Sequence, residues 1–88
     1  MAWTVEFSKP ADKALQKLPQ ALQVRLVTFL RERVLSLPDP RLIGQALKGE
    51  LAGRWRYRIG DYRLICTIED HKMVILVIEL GHRSDIYR

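Results

Sequence analysis

The sequence predicts an α+β domain ordered β-α-α-β-β-β, a helical hairpin packed on a mainly antiparallel four-stranded sheet. Three observations predict it. Apolar residues recur every second position in residues 2–7 and again from Arg54 onward. Between these stretches they recur at spacings of three and four. Proline and glycine mark the changes of period. The chain has 88 residues, so one domain spanning 1–88 is expected. Two domains would each be too small to hold a core without metals or disulfides.

Each element has its own signal. In residues 2–7, Trp3, Val5 and Phe7 alternate with Ala2, Thr4 and Glu6, as a strand requires. Ser8 followed by Pro10 reads as a helix start, because the hydroxyl caps free amides and proline suits the first turn. Ala11, Leu15 and Leu18 continue at helical spacing, and Pro19 ends that helix and opens the next. The second helix runs to about Leu35, with Leu22, Leu26, Phe29, Leu30, Val34 and Leu37 as its apolar stripe. Pro38-Asp39-Pro40 stops it, and residues 38–53 read as a loop. Arg54 to Ile59, Tyr62 to Glu69 and Lys72 to Leu80 read as three strands. They are joined by two-residue turns at Gly60-Asp61 and Asp70-His71, and Gly81 is expected to break the last strand. The polar tail from Gly81 to Arg88 would then fold back over the sheet.

The first hairpin has a definite register. With Gly60 and Asp61 as its loop, Ile59 faces Tyr62, Arg58 faces Arg63, Tyr57 faces Leu64 and Arg56 faces Ile65. Trp55, Tyr57, Ile59, Tyr62, Leu64 and Cys66 then share one face, and Arg54, Arg56, Arg58 and Arg63 share the other. Like charges placed directly opposite cost about 0.2–1 kcal/mol. A sequence shaped for stability alone would relieve that conflict, so it points to an anionic ligand, the plain alternative being the solvated face of a half-exposed strand. With a two-residue second turn, Ile65, Val74, Leu76 and Ile78 join the arginine face, giving a basic rim beside an apolar floor.

Composition narrows the chemistry. Fifteen Lys and Arg against ten Asp and Glu give a net charge of +5, and most of the cations are arginine, whose planar fork suits phosphate. The single cysteine, Cys66, excludes an internal disulfide framework and a cysteine-rich zinc site, and fits a reducing, cytoplasmic setting. Its mid-strand position reads as a small buried apolar residue. His71 and His82 are too few for a metal centre. No secretory leader is expected from the alternating N-terminus. The longest apolar run, Met73 to Ile78, is too short to cross a bilayer.

Three runs carry a resemblance. Leu47-Lys48-Gly49, the stretch Trp55-Arg56-Tyr57-Arg58-Ile59-Gly60-Asp61-Tyr62-Arg63-Leu64, and the terminal Gly81-His82-Arg83-Ser84-Asp85-Ile86-Tyr87-Arg88 resemble the RelE branch of the RelE/ParE toxin superfamily. The N-terminal strand and helical hairpin fit as well, so the resemblance covers nearly the whole chain. It implies a toxin of a type II toxin–antitoxin pair that cuts mRNA in the ribosomal A site without metal or cofactor. The ribose 2′-hydroxyl attacks the adjacent phosphate, leaving a 2′,3′-cyclic phosphate and a 5′-hydroxyl.

On matching positions, the resemblance implies that Arg56 and Arg58 stand where well-known members carry lysines. Arg63 takes the phosphate-binding position, Arg83 the leaving-group position, and Tyr87 that of a tyrosine near the substrate. Arg54, Lys48 and His82 would add RNA contacts. Arginine is a poor general base beside lysine, so Tyr87, His82 or an rRNA group would assist proton transfer, or charge stabilisation would dominate. The longer C-terminal helix of some members is not expected from this tail. The implied partners are a cognate RelB-like antitoxin and the ribosome with its mRNA, with DNA reached only through the antitoxin and no membrane. Two other classes share the fold: a ParE-like gyrase inhibitor and a non-catalytic antitoxin- or RNA-binding module. The Arg83 and Tyr87 pair argues against the gyrase inhibitor.

Overall fold

The computed structural model describes residues 3–86, the side chains of residues 85 and 86 excepted. The elements are β1 (Thr4–Phe7), α1 (Lys9–Gln16), α2 (Gln20–Phe29), β2 (Gln45–Ala46), β3 (Trp55–Ile59), β4 (Tyr62–Glu69), β5 (Val74–His82) and a last helical turn, α3 (Arg83–Ile86). The strands form one sheet in the order β1-β5-β4-β3-β2. All neighbours are antiparallel except β1, which runs parallel to β5.

α1 starts as the sequence implies. Ser8 is its N-cap, and the hydroxyl accepts from the Ala11 amide at 3.2 Å. α2 follows Pro19 and continues past Phe29 into one π turn at Leu30–Val34, closed by the Leu35 amide donating to the Leu30 carbonyl at 2.8 Å. The wider turn keeps both Leu30 and Val34 fully buried. Both helices cover one face of the sheet. There Ala11, Leu15, Leu26, Leu30 and Val34 meet Tyr57, Ile59, Leu64, Cys66, Ile75, Val77 and Leu80. Trp3, Val5 and Phe7 pack against the edge of this core. No helix among the described residues is long and apolar enough to cross a membrane.

The first hairpin has the expected register at every pair from Trp55↔Cys66 to Ile59↔Tyr62. Gly60 supplies the positive φ of +59° that its turn needs. Elsewhere the structure differs from the expectation. The stretch 38–53 is not a plain loop: it holds two 3₁₀ turns, at Pro40–Leu42 and Gly49–Leu51, and the short edge strand β2 beside β3. The sheet therefore has five strands.

The second turn is four residues, Asp70 to Met73, not two. Glu69 faces Val74, and the positive φ falls on Met73 at +53°. Two i→i+3 bonds close it, from Lys72 to Glu69 and from Met73 to Asp70, each 3.2 Å. Lengthening the loop by two leaves the faces unchanged, so Ile65, Val74 and Leu76 still share the arginine side. Gly81 does not break β5, because the strand runs on to pair His82 with Tyr62. The chain turns only at Arg83.

Candidate nucleic-acid interface

The face turned away from the helices takes Arg56 and Arg58 from β3, Arg63 and Ile65 from β4, and Val74 and Leu76 from β5. Ile65 and Val74 are buried on this face beside the arginines, while Ile78, expected there as well, has no register partner on β4 and does not join their row. Arg58 lies directly opposite Arg63. Arg58 is exposed, whereas Arg63 is only 5% exposed. The Arg63 Nη1 donates to the carbonyls of Gly60 and Tyr62, both at 3.1 Å. It therefore braces the β3–β4 turn from which it also charges the face. Arg56 is held by Gln45, its register partner on β2, whose Oε1 accepts from Arg56 Nη2.

A register shift between Ile65 and Cys66 completes the face. On one side of it Cys66 faces Val77. On the other, Ile65 faces Glu79 and Arg63 faces Gly81. The extra residue on β5 reverses the alternation beyond it. Glu79 and Gly81 consequently fall on the arginine side, and Leu80 and His82 on the helix side. Opposite Arg63 there is thus a residue with no side chain.

α3 begins at this end of the sheet. The Arg83 amide donates to the Asp61 carbonyl at 2.8 Å, which tethers the start of α3 to the β3–β4 turn. The backbones of Arg58, Arg63 and Arg83 therefore stand at one end of the sheet, with Arg56 two residues along β3. Arg54 precedes β3, four residues and about 13 Å of strand from Arg58. Lys48 lies beyond it, after β2, exposed and at the far end. These two do not join the cluster.

His82 is placed differently from the expectation. Its ring packs edge-on to Tyr62, with centroids 5.6 Å apart, and its Nδ1 accepts from the Ser84 amide at 3.2 Å. It lines a cleft of about 460 Å³ with Lys13, Lys17, Leu18, Tyr62 and Leu80, on the helix side of the sheet. The β5 bulge is the reason. Tyr87 lies outside the described residues.

Two residues at the site were missed by the sequence reading. Glu79 would sit on the helix face without the bulge, and nothing in the local sequence announces one. Arg25 of α2 reaches the turn from the other layer, its Nη2 lying 3.2 Å from where a Gly60 Cβ would stand. Its place next to Leu26 on the helix was the available signal.

Other ionisable groups have structural surroundings. Burial pushes the Cys66 thiol up to about 12, consistent with a core residue. Burial also raises the Tyr57 phenol, whose hydroxyl donates to the Pro40 carbonyl at 2.7 Å. The hydrogen-bonded Arg41 holds the Asp70 carboxyl below its usual range. No cluster of three or more potential metal ligands occurs among the described residues.

Comparison with known proteins agrees with this architecture. The family described as the ParE toxin of the type II toxin–antitoxin system parDE matches residues 5–87. The toxin RelG of Mycobacterium tuberculosis is 35% identical over 88 residues, covering 100% of this chain and 99% of that protein. The mRNA interferase toxin RelE of Escherichia coli is 31% identical over 90 residues, covering 99% and 92%. Among solved structures, the toxin–antitoxin complex RelBE2 from Mycobacterium tuberculosis superposes with a TM-score of 0.83 at 31% identity, covering 94% of this chain and 100% of that one. With the family matched over nearly its full length and these toxins as relatives, the chain belongs to the RelE/ParE superfamily of type II toxins, on the RelE branch.

Proposed function

We propose that this toxin is a cytoplasmic, ribosome-dependent endoribonuclease that cuts mRNA in the A site by metal-independent attack of a 2′-hydroxyl on the adjacent phosphate. The observation that carries the reading is the directly opposed pair Arg58 and Arg63, with the backbone of Arg83 tethered to the turn beside them. Such convergence suits a phosphate whose negative charge grows in the transition state. Arg63 and Arg56 would hold the backbone, Arg58 would contact the reacting phosphate, and Arg83 would stabilise the departing 5′-oxygen. Tyr87 would orient the ribose. Arg54 and Lys48, at the far end of β3, suit a phosphate further along the strand. The name of the Escherichia coli relative, an mRNA interferase toxin, supports mRNA as the target.

The cognate partner in this reading is a RelB-like antitoxin, since the solved structure compared above is a toxin–antitoxin complex. The test adds purified protein to translating ribosomes and maps new 5′ ends. Cleavage within the A-site codon is expected, and Arg58→Ala, Arg83→Ala and Tyr87→Phe should each relieve growth arrest. Intact message with folded wild-type protein would refute the reading. The matched family carries the ParE description, which favours gyrase inhibition as the second reading. Loss of supercoiling activity in a gyrase assay, with mRNA intact, would select it.

A further inference from the structure

The proposed reaction needs a group to take the proton from the attacking 2′-hydroxyl, and the guanidiniums are poor acceptors. His82, one candidate from the sequence, faces the other side of the sheet. We propose that Glu79 is the proton acceptor for the 2′-hydroxyl, an inference that rests on the endoribonuclease reading.

The bulge carries the argument. It puts Glu79 in the same cross-strand row as Ile65 and Arg56. Adjacent strands are about 4.8 Å apart, so the Glu79 and Arg56 backbones lie about 10 Å apart with Ile65 between them. Ile65 is 1% exposed and forms the floor. Along β5, Gly81 is two residues on, about 7 Å away, and faces Arg63. A ribose lying across this row, above the covered Ile65, would have the Glu79 carboxylate on one side and Arg56, Arg58 and Arg63 on the other. Glu79 is exposed and makes no ion pair among the described residues, so its carboxylate is available to a ligand. In the step itself, the 2′-hydroxyl gives its proton to the carboxylate while the O2′–P bond forms. The P–O5′ bond breaks, the 5′-oxygen takes a proton from water, and the resulting hydroxide takes back the proton held by Glu79, which restores the carboxylate.

The competing account makes Glu79 a counter-charge that merely relieves arginine repulsion. The two accounts predict opposite signs for Glu79→Gln. Loss of a counter-charge makes the face more positive, so RNA binds more tightly and cleavage is unchanged or faster. Loss of the proton acceptor leaves binding equal or tighter and slows cleavage. The experiment measures single-turnover cleavage on programmed ribosomes at saturating toxin, together with affinity for ribosomes carrying an uncleavable 2′-deoxy codon. The expected result is a rate lower by about 10²-fold or more with affinity retained. A rate equal to wild type or higher overturns the proposal. So does a rate loss matched by an equal loss of affinity, which would make Glu79 structural. Wild-type protein that cleaves while Glu79→Gln cleaves equally well sinks only this inference. Wild-type protein that does not cleave sinks the endoribonuclease reading and this inference together.

Discussion

Two arginines in one cross-strand pair have opposite relations to stability. Arg58 is exposed and faces Arg63, so it contributes repulsion and little packing. Arg63 is buried and donates to two carbonyls of the turn. Replacing Arg58 by Thr, a good strand residue, should raise the free energy of unfolding by about 0.2–1 kcal/mol while abolishing toxicity. Replacing Arg63 by Ala should lower it by about 2 kcal/mol, because two charged hydrogen bonds to the turn and the packing of a buried side chain are lost. Urea denaturation of the two variants checks the signs. If both variants were destabilised alike, Arg58 would hold the turn rather than burden it. This contrast also decides how activity data are read: a dead Arg58 variant reports on the site, and a dead Arg63 variant reports on the site and the fold together.

Among the elements, the β3–β4 hairpin was fully legible because its signals agree: a glycine-first turn, strict alternation, and one face that must be buried. The helical hairpin was legible for similar reasons, through Ser8, Pro10 and Pro19. The segment 38–53 was not, since its order comes from contacts distant in sequence. Arg41 stacks over Trp55, pairs with Asp39 at 3.2 Å, and reaches Asp70 on the β4–β5 turn at 2.6 Å. The same Asp70 anchors the four-residue loop that the sequence suggested would be two.

Two variants test the anchoring of this segment. Tyr57→Phe removes the buried bond to Pro40 and should cost about 1 kcal/mol in urea denaturation. Asp70→Asn should lower the melting temperature at neutral pH. The folded-state Asp70 is held below its usual value by Arg41, so its contribution is present above the unfolded carboxylate range. It fades as pH falls through the folded value. The melting temperatures of wild type and Asp70→Asn should converge in acid, and a gap that persisted there would assign the effect to something other than the ion pair.

At the scale of the whole molecule, the start of the chain controls the shape of its end. β1 pairs in parallel with β5, and the interior position of β5 depends on it. Ser8 makes the junction specific. Its amide donates to Val77 O at 2.9 Å, and its hydroxyl donates to Ile78 O at 3.2 Å while accepting from the Ala11 amide. Ile78 is the residue left over by the register shift. One hydroxyl thus caps α1 and satisfies the bulge that turns Glu79 and Gly81 toward the arginines. Neither the bulge nor its link to Ser8 could be read from alternation, because the shift of one residue is decided by a partner seventy positions away. The two roles of Ser8 can be separated. Ser8→Ala removes both and should cost about 1 kcal/mol through the cap alone. Ser8→Asp keeps an acceptor for the Ala11 amide but has no donor for Ile78. It should therefore recover most of the helix-cap stability in urea denaturation, yet show faster amide exchange at Glu79 and Leu80 and a lower cleavage rate than wild type. If Ser8→Asp restored both stability and rate, the bulge would be held by the strand pairing itself, and the N-terminal junction would serve only the helix.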